Sequence, residues 1–493
     1  MSAHRAILAW PAEDSACDQG LALWDAADLA RAMGGVASAA FQCSGVEIDS
    51  RDVRSGDLFF ALKGETTDGH RYLDAAFAKG AAAAVVDRPI DQPHILVADT
   101  MRALQALGKA ARARLDGEAR VIGVTGSVGK TGVKEALFAA LDRDSHGAAH
   151  RSVKSYNNHV GVPLSLARTP ARSDYGVFEM GMNHAGEIAA LTRQVRPHVA
   201  VITTIAPAHI ENLSSEEAIA DAKSEIFQGL EPGGVAIIPA DSPHAARLRA
   251  QAEELGVQVL SFGRAANADV RLLDALATGN GGSLVTADMG DRRLCYTVAE
   301  PGDHWVINSL AVMAAVRAVG GDLGAAGLAL AEMGGLAGRG ARHRIPVPGG
   351  AVQGGNALLI DESYNANPAS MRATLAQLGQ TPATRRIAVL GAMKELGDFA
   401  PAFHAQLADP LAAAGVDHAI LVGPEMGALA EVLGKSGAGV LGNKPGFAHC
   451  DGPDDAIAAL ERLGLAAGDA VLVKGSNSVG LARLVAHFVA REG

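Results

Sequence analysis

Cysteine is rare in this chain, and its few cysteines form no pattern. Four cysteines are scattered through 493 residues, with no CxxC pair and no metal-finger spacing: Cys17, Cys43, Cys295 and Cys450. Small secreted proteins that rely on disulfides have many closely spaced cysteines. We therefore expect no disulfide framework, and the composition fits a reducing cytoplasm.

Long apolar runs and clustered positive charge are also missing. No run reaches 18 uninterrupted apolar residues, and the N-terminal stretch has too short an apolar run and too early a carboxylate pair for a signal peptide. The net charge is -11, and no basic run is available to neutralise nucleic-acid phosphates. We expect a cytoplasmic protein that neither enters a membrane nor binds nucleic acid.

Aromatic residues are few, at 4%, but the chain is otherwise ordinary for a globular protein, with 48% hydrophobic and 20% charged residues. Its length predicts about three domains. Short apolar strands alternate with amphipathic helices throughout, which is typical of α/β folds. We predict a small N-terminal α/β domain over residues 1–116, a central P-loop domain with a doubly wound, mostly parallel sheet over 117–336, and a C-terminal Rossmann-like domain over 337–493.

Some elements of the central part are predicted individually. Apolar periodicity predicts a strand from Val199 to Ile205 and a helix from Ser215 to Leu230. The G-N-G-G-S-L stretch from Gly279 is typical of a hairpin turn, and the Gly-rich stretch from Gly334 to Gly340 is the expected linker to the third domain.

The segment V-I-G-V-T-G-S-V-G-K-T, from Val121 to Thr131, joins an apolar strand to a helix through a Gly-rich turn. Glycines allow backbone N–H groups to approach phosphate oxygens, and the helix N-terminus favours the same anion. A lysine and a threonine at these positions typically contact the β/γ-phosphates and Mg²⁺. The segment predicts a nucleotide-phosphate site, although Val124 stands where the strict motif has glycine. A Gly-rich turn with an incidental Lys-Thr is the alternative.

Two further strand ends carry residues suited to a metal. Glu179 ends one predicted strand, and His209 follows another. The carboxyl ends of parallel strands lie at one edge of a sheet, so both could face the phosphates. A carboxylate can bind Mg²⁺, and a neutral imidazole can be a further ligand. Purely structural roles are the alternative for each.

Polar residues also cluster on predicted loops of the N-terminal part. The I-D-S-R segment ends at Arg51, and G-D-L-F-F-A-L-K-G-E-T-T-D-G-H runs from Gly56 to His70. Such a cluster suits a sugar or a diphosphate. A solvated loop of the same composition is the alternative.

Taken with other segments, these residues resemble the Mur ligase family over nearly the whole chain. The other segments are S-Y-N-N-H-V-G-V-P from Ser155, E-M-G-M-N-H-A-G-E from Glu179, A-H-I-E-N from Ala208, A-K-S-E-I-F from Ala222, D-E-S-Y-N-A-N-P from Asp361 and V-K-G-S from Val473. The chain departs from the family pattern at Ser155, at Pro239 and at Ala392.

The resemblance implies roles for individual residues. It implies contacts to a UDP-linked substrate at Ser50, Arg51, Lys63, Gly64, Thr67, Asp68, His70, Asn157 and Asn158. It implies ATP contacts at Thr125, Gly126, Ser127, Val128, Gly129, Lys130, Thr131, Asn308, Arg339, Tyr364, Asn365 and Asn367. It implies catalytic roles for Lys130, Glu179, His209 and Lys223. It implies a Mg²⁺ site made by Thr131, Glu179, His209 and Lys223, the last as a carbamate.

The implied reaction is ATP-dependent amide formation through an acyl phosphate. The D-E-S-Y-N-A-N-P loop and the lack of a D-N-P-R motif favour the branch that adds D-alanyl-D-alanine to UDP-MurNAc-tripeptide in cytoplasmic peptidoglycan precursor synthesis. We expect a monomer. One alternative is a related ligase that adds a single amino acid to a muramyl or folate substrate, as folylpolyglutamate-type ligases do. The other, from a different class, is a non-catalytic nucleotide-binding switch.

Overall fold

The structure is a computed structural model that describes residues 22–64, 67–115, 117–207, 210–213, 215–279, 281–347, 355–435 and 446–490. Its strands form three large sheets of five, nine and six strands and one two-stranded pair. Within these ranges, no helix is both long and apolar enough to cross a lipid bilayer.

The N-terminal part is a five-stranded sheet with helices. Its strands are β1 (Trp24–Asp25), β2 (Val36–Ala37), β3 (Gln42–Cys43), β4 (Gly45–Glu47), β5 (Asp57–Phe60), β6 (Ala83–Val86) and β7 (His94–Leu96), and its helices are α1 (Ala26–Met33), α2 (Leu73–Ala78) and α3 (Thr100–Ala113). The sheet order is β2-β7-β6-β5-β4, in which only the β2–β7 pair is antiparallel. β1 and β3 pair separately.

The central part contains a nine-stranded sheet. Its strands are β8 (Arg120–Thr125), β9 (Ala149–Arg151), β10 (Tyr175–Glu179), β11 (Val199–Ile202), β12 (Val235–Pro239), β13 (Gln258–Gly263), β14 (Val270–Ala277), β15 (Ser283–Asp288) and β16 (Arg293–Val298). Its helices are α4 (Lys130–Asp144), α5 (Gly161–Ala167), α6 (Glu187–Val195), α7 (Ile210–Leu213), α8 (Glu216–Ser224), α9 (Ala245–Glu254), α10 (Asp303–Ala318) and α11 (Leu323–Glu332).

The strand order of this sheet, β16-β15-β14-β13-β12-β11-β8-β10-β9, positions the site. β8 lies between β10 and β11 and is parallel to both, with Glu179 opposite Val124 and Ile202 opposite Thr125. The residues that follow these three strands therefore meet at one edge of the sheet, where ligands bind in such folds. These three strands, β8, β10 and β11, are buried on both faces, as their continuous apolar character predicts.

The C-terminal part has a six-stranded sheet of order β17-β18-β22-β19-β20-β21, parallel except for the β17–β18 pair. Its strands are β17 (Ala341–Pro346), β18 (Asn356–Glu362), β19 (Arg385–Gly391), β20 (His418–Val422), β21 (Gly446–Cys450) and β22 (Asp469–Lys474). Its helices are α12 (Pro368–Gln380), α13 (Ala400–Ala405), α14 (Ala408–Ala413), α15 (Gly427–Lys435), α16 (Pro453–Leu463) and α17 (Ala482–Val489).

The N-terminal part packs directly on the central part. The indole Nε1 of Trp24 donates to the carbonyl of Ala167 at 2.9 Å, across the junction. Helix α3 approaches α5 so closely that a Cβ at Gly108 would lie 2.9 Å from the carbonyl oxygen of Pro163. This contact fixes the N-terminal loops relative to the segment that precedes α5.

The α/β class and the doubly wound central sheet are confirmed, and the hairpin is confirmed because β14 and β15 pair antiparallel. The helix predicted from Ser215 to Leu230 was too long, because α8 ends at Ser224 and a 3-10 turn follows. Thr192 Oγ1 donates to the carbonyl of Ile226 at 2.8 Å, so packing against α6 redirects this last turn. The strand predicted to run from Val199 to Ile205 ends at Ile202.

Candidate active site

The turn between β8 and α4 is shaped by two glycines with positive φ. Gly126 has φ +147° and Gly129 has φ +85°. A Cβ would lie 2.0 Å from Thr203 Oγ1 at Gly126 and 2.8 Å from Asn308 Nδ2 at Gly129. Only glycine fits at either position, which is the requirement of a backbone cradle for phosphate.

This loop is held in place by the segment after β11. Ser127 N–H donates to the carbonyl of Thr204 at 2.8 Å, and Ser127 Oγ donates to the carbonyl of Ala206 at 2.8 Å. Thr203 Oγ1 donates to the carbonyl of Val128 at 2.5 Å. These hydrogen bonds fix the backbone of the loop, and Thr125, which leads into it, is fully buried.

Glu179 lies beside the start of α4 and is only 1% exposed. Its Oε2 accepts from Thr131 Oγ1 at 2.8 Å, and its Oε1 accepts from Asn157 Nδ2 at 2.7 Å. The carboxylate and the hydroxyl are hard oxygen donors of the type that Mg²⁺ prefers, and Mg²⁺ commonly needs only one or two protein ligands besides phosphates. These residues therefore fit a magnesium-nucleotide site.

Positive charge surrounds this carboxylate. Burial by itself would raise the pKa of Glu179, but the Lys134 and Lys130 ammonium groups, with Arg339, hold that pKa below its ordinary value. Lys130 Nζ donates to the carbonyl of Gly126 at 2.7 Å. Burial lowers the pKa of Lys130, an effect that Glu179 partly offsets. The site thus has an excess of cations at the place where phosphate charge would be bound.

Lys223, near the end of α8, is 2% exposed and lines the same cleft. Burial, reinforced by the charge of Lys130, lowers its pKa well below the ordinary value. Within the described residues, no carboxylate forms an ion pair with it. His209 lies outside the described residues, and so its predicted metal role stays a prediction. Among the described residues, no group of three or more His, Cys, Asp and Glu side chains could hold a metal ion.

The opposite wall of the cleft comes from the linker and the C-terminal part. Arg339 Nη2 donates to Ser155 Oγ at 3.0 Å, and its guanidinium lies 4.2 Å from the centre of the Tyr364 ring. Lys474, at the end of β22, is 2% exposed and donates to the carbonyl of Asn365 at 2.9 Å. Side chains from two sheets therefore face one another across the phosphate loop.

Asparagines predicted to bind ligands also have structural roles. Asn367 Oδ1 accepts from Ser370 N–H at 2.9 Å, in a capping box that begins α12. Asn158 Oδ1 accepts from the N–H groups of Val160 and Gly161 at the start of α5. Asn365 Oδ1 accepts from its neighbouring N–H at 2.8 Å. All three still line the cleft.

The cleft has a volume of about 320 Å³. Of the predicted residues, those that line it are Ser127, Val128, Gly129, Lys130, Asn157, Asn158, Glu179, Lys223, Asn308, Arg339, Tyr364, Asn365 and Asn367. Thr125, Gly126 and Thr131 are not among the lining residues. Thr125 and Thr131 are buried on either side of the loop, and Gly126 forms part of its turn.

His304, Trp305, Glu362 and Lys474 also line the cleft and were missing from the predicted site residues. Trp305 packs so closely against the loop helix that a Cβ at Gly132 would lie 2.7 Å from its ring. Burial, together with the charge of Lys474, lowers the pKa of His304 to about 4, so its ring is neutral at pH 7. A sequence signal existed, because residues three and four positions before Asn308 share its helix face.

The predicted substrate residues of the N-terminal part do not line this cleft. Arg51 is exposed and pairs with Asp49 at 2.6 Å. His70 is buried between two carboxylates, with Nδ1 at 2.6 Å from Asp68 and Nε2 at 3.1 Å from Asp87. The others lie on the same two loops. Ser50 is buried, Lys63 forms a bridge with Asp68, and Gly64 N–H donates to the carbonyl of Thr67 at 2.9 Å.

A second, larger cleft lies at the opposite edge of the central sheet and has a volume of about 600 Å³. It contains arginines, but these hold structural partners. Arg112 donates to the carbonyls of Val195 and Arg196, and Arg196 pairs with Glu231 at 2.6 Å. We therefore assign the chemistry to the smaller cleft, where the phosphate loop lies.

Comparison with known proteins agrees with this geometry. Three family models match: the Mur ligase family catalytic domain over residues 42–114, the Mur ligase middle domain over 124–316, and the Mur ligase glutamate ligase domain over 348–477. The chain is 35% identical over 452 residues to the UDP-N-acetylmuramoyl-tripeptide–D-alanyl-D-alanine ligase of Synechocystis, covering 90% of this chain and 91% of the relative.

Solved structures give the same result. MurF from Acinetobacter baumannii superposes with a TM-score of 0.80 at 31% identity, covering 95% of this chain and 100% of that one. The MurF ligase of Thermotoga maritima, solved in complex with ADP, has a TM-score of 0.72 at 26% identity, over 91% of this chain and 97% of that one. This chain therefore belongs to the Mur ligase family.

Proposed function

We propose that this protein is an ATP-dependent amide ligase that joins D-alanyl-D-alanine to UDP-MurNAc-tripeptide. The observation that carries the proposal is the single cleft in which the phosphate loop, the buried Glu179 and the C-terminal residues Arg339 and Lys474 meet. The name of the Synechocystis relative supports the choice of substrates.

Forming an amide from a carboxylate requires a better leaving group. In the proposed reaction the tripeptide carboxylate takes the γ-phosphoryl group of ATP, and the dipeptide amine then displaces phosphate from the acyl phosphate. Lys130 and the N–H groups of the glycine loop neutralise charge on the transferring group. Thr131 and Glu179 would hold Mg²⁺, which, when bound, neutralises phosphate charge. His209 remains a predicted further ligand.

The remaining predicted contacts belong to this proposal. Asn308, Arg339, Tyr364, Asn365 and Asn367 would contact the nucleotide from both sides of the cleft. The loops around Ser50–Arg51 and Lys63–His70, with Asn157 and Asn158, would bind the UDP-linked substrate. We infer domains with the boundaries 1–116, 117–336 and 337–493, and a monomer. We infer a cytoplasmic location, because ATP and UDP-linked precursors are cytoplasmic metabolites.

We also propose that Lys223 acts as a carbamate. Its lowered pKa leaves a larger neutral fraction of the amine, which can attack CO₂, forming an N–C bond and releasing one proton. The product is an anion with two oxygen atoms, the ligand type that Mg²⁺ prefers. The alternative is an unmodified lysine that pairs with phosphate.

Chemical rescue tests the carbamate. Lys223→Ala should be nearly inactive and should recover partly with a short carboxylic acid that fills the vacated space. Mass spectrometry cannot preserve a labile carbamate reliably, so ¹³C NMR of the folded enzyme with ¹³CO₂ is the second readout. A ¹³C carbamate signal present in the wild type and missing in Lys223→Ala supports the proposal. No signal in active enzyme contradicts it.

Phosphate release tests the function as a whole. With UDP-MurNAc-tripeptide and ATP, release should depend on D-alanyl-D-alanine, and single amino acids should be poor substitutes. Preference for a single amino acid would favour the related ligases instead. Nucleotide binding without turnover for any of these substrate pairs would favour a switch.

A further inference from the structure

Lys134 is a fully buried lysine with no assigned part in the proposed chemistry. It lies on α4, one turn beyond Lys130, and is 0% exposed. Its ammonium contacts three oxygens: the carbonyls of Ser152 at 2.7 Å and Lys154 at 3.1 Å, and Glu135 Oε1 at 2.7 Å. An ammonium has three donors, so all of them have partners.

Burying a charge costs free energy unless it is well paired, and a hydrophobic residue would fill this space without that cost. The charge therefore needs an explanation. Glu135 also forms an ion pair with Arg151, the residue immediately before Ser152, with Glu135 Oε2 and Arg151 Nε 2.7 Å apart. α4 thus holds the chain at both ends of the stretch from Arg151 to Lys154.

The segment that Lys134 holds, Ser152–Asn158, has direct contacts to the site. Ser152 Oγ accepts from the N–H of Glu179 at 3.1 Å. Asn157 Nδ2 donates to Glu179 Oε1 at 2.7 Å, and the carbonyl of Asn157 accepts from Gly181 N–H at 2.7 Å. Asn157 and its carbonyl therefore set where the Glu179 carboxylate points.

The same segment contacts the other two parts of the chain. Lys154 Nζ donates to Asp52 Oδ2 at 2.7 Å, next to the N-terminal substrate loop. Ser155 Oγ accepts from Arg339 of the linker at 3.0 Å. One short segment thus connects the phosphate site, the N-terminal part and the C-terminal part.

Backbone strain gives a separate indication. Lys154 has φ +53°, a left-handed conformation that is unfavourable for a residue with a Cβ. Such strain persists where the surroundings over-determine it, and it concentrates at functional sites. The carbonyl of this strained residue is one of the three oxygens that Lys134 holds.

We propose that Lys134 is a positioning residue that fixes the Ser152–Asn158 segment, so that Asn157 orients Glu179 for phosphoryl transfer. The inference rests on the proposed function for its activity readout. Lys134 contacts neither nucleotide nor substrate in this scheme; it acts through the segment.

The test compares Lys134→Gln with a matched control, Arg112→Gln. Arg112 is also buried and also holds two main-chain carbonyls, but at the opposite edge of the same sheet. Both variants should unfold at lower temperature. Only Lys134→Gln should show a lower kcat, by about 10–100-fold, the effect typical of replacing a residue that orients a metal ligand. A normal kcat in folded Lys134→Gln would overturn the proposal.

A double-mutant cycle checks the route of action. Because Lys134 acts through Asn157, Lys134→Gln and Asn157→Ala together should lower kcat little more than either alone. Independent, multiplying effects would overturn the proposal. If Lys134→Gln does not fold, Lys134→Arg serves instead, because it keeps the charge but moves the contact. Lys134→Arg should lower kcat, and Arg112→Lys should not. An unchanged kcat in Lys134→Arg would contradict the proposal.

Two measurements distinguish a failure of the proposed function from a failure of the role of Lys134. Wild-type turnover with both substrates is measured first, and its absence would count against the function only. Affinity for ADP with Mg²⁺ requires neither UDP substrate nor dipeptide. It should fall about 10–100-fold in Lys134→Gln and stay unchanged in Arg112→Gln, and equal affinities in both variants would reject the role of Lys134.

Discussion

The central cleft and the N-terminal loops are both rich in charged side chains but arrange them differently. In the loops, charges pair locally: Arg51 with Asp49, and His70 with Asp68 and Asp87. At the cleft, three positive charges, those of Lys134, Lys130 and Arg339, act on one buried carboxylate, Glu179.

The pKa values follow this difference. Hydrogen bonding to Arg51 lowers the pKa of Asp49 to about 2, the ordinary effect of a surface ion pair. Burial, reinforced by the charge of Lys130, instead lowers the pKa of Lys223 well below its ordinary value, and within the described residues no carboxylate forms an ion pair with it. Strong perturbation by burial in a cleft is typical of functional sites. The comparison teaches that the arrangement of charges, rather than their number, distinguishes the cleft.

The largest expected effect is on the cleft. Lys130→Ala should lower kcat by about two to three decades, because in the proposed reaction the lysine would contact the group being transferred. Its loss should leave the fold intact, since Lys130 serves the loop and not the core. Phosphate release at saturating ATP measures the effect, and Lys435→Ala, at an exposed lysine, is the control. Near-normal turnover would remove Lys130 from the mechanism.

The next effect concerns pH and a carboxyl near the linker. Burial raises the pKa of Glu300 from 4.5 to about 7, with Arg342 opposing and Glu362 reinforcing the shift. At a pH between these two pKa values, unfolding releases a proton from Glu300. The free energy of unfolding therefore falls by about 3 kcal/mol in all as pH rises from about 4.5 to 7.

Glu300→Gln removes that dependence. Thermal unfolding should show the variant more stable than wild type at pH 8, with little difference at pH 4.5. Parallel stability curves across this range would show that Glu300 is ionised in the folded protein.

A smaller effect separates two residues of the N-terminal loops. His70→Ala should destabilise the protein by about 1–3 kcal/mol, because the buried ring forms hydrogen bonds with Asp68 and Asp87. Arg51→Ala, at an exposed site, should change stability by no more than about 0.5 kcal/mol and should raise the KM for the UDP substrate without changing that for ATP. Denaturant unfolding and steady-state kinetics measure both, and an unchanged KM in Arg51→Ala would exclude it from the substrate site.

The smallest effect separates two neighbouring asparagines of the cleft. Asn367→Ala removes the cap of α12 and should cost about 1 kcal/mol of stability. Asn365→Ala should raise the KM for ATP more than the KM for the dipeptide, because its amide can pair with the adenine base. If Asn365→Ala lowers the melting temperature and raises both KM values equally, Asn365 is only a turn residue.

The residues of the cleft that directly follow strands were predictable from the sequence. The glycine loop after β8 and Glu179 after β10 converge because their strands are parallel neighbours, a consequence of the alternating pattern. The prediction omitted His304 and Trp305, because neither belongs to a recognisable motif and only their spacing from Asn308 on α10 connects them to the site. The predicted helix from Ser215 to Leu230 was too long because Thr192, on another helix, shapes the turn that follows α8. Local periodicity does not reveal such a contact.

The sequence by itself determined the α/β class, the phosphate loop and the family, because each is written in local residue patterns: glycine spacing, apolar periodicity and short motifs. Only the tertiary structure decided which polar residues share a cleft and which pair locally. His70 and Lys223 are both titratable side chains, but His70 is buried between two carboxylates, whereas Lys223 lies in the cleft and forms no ion pair with a carboxylate of the described residues. That difference depends on which residues, distant along the chain, folding brings beside them.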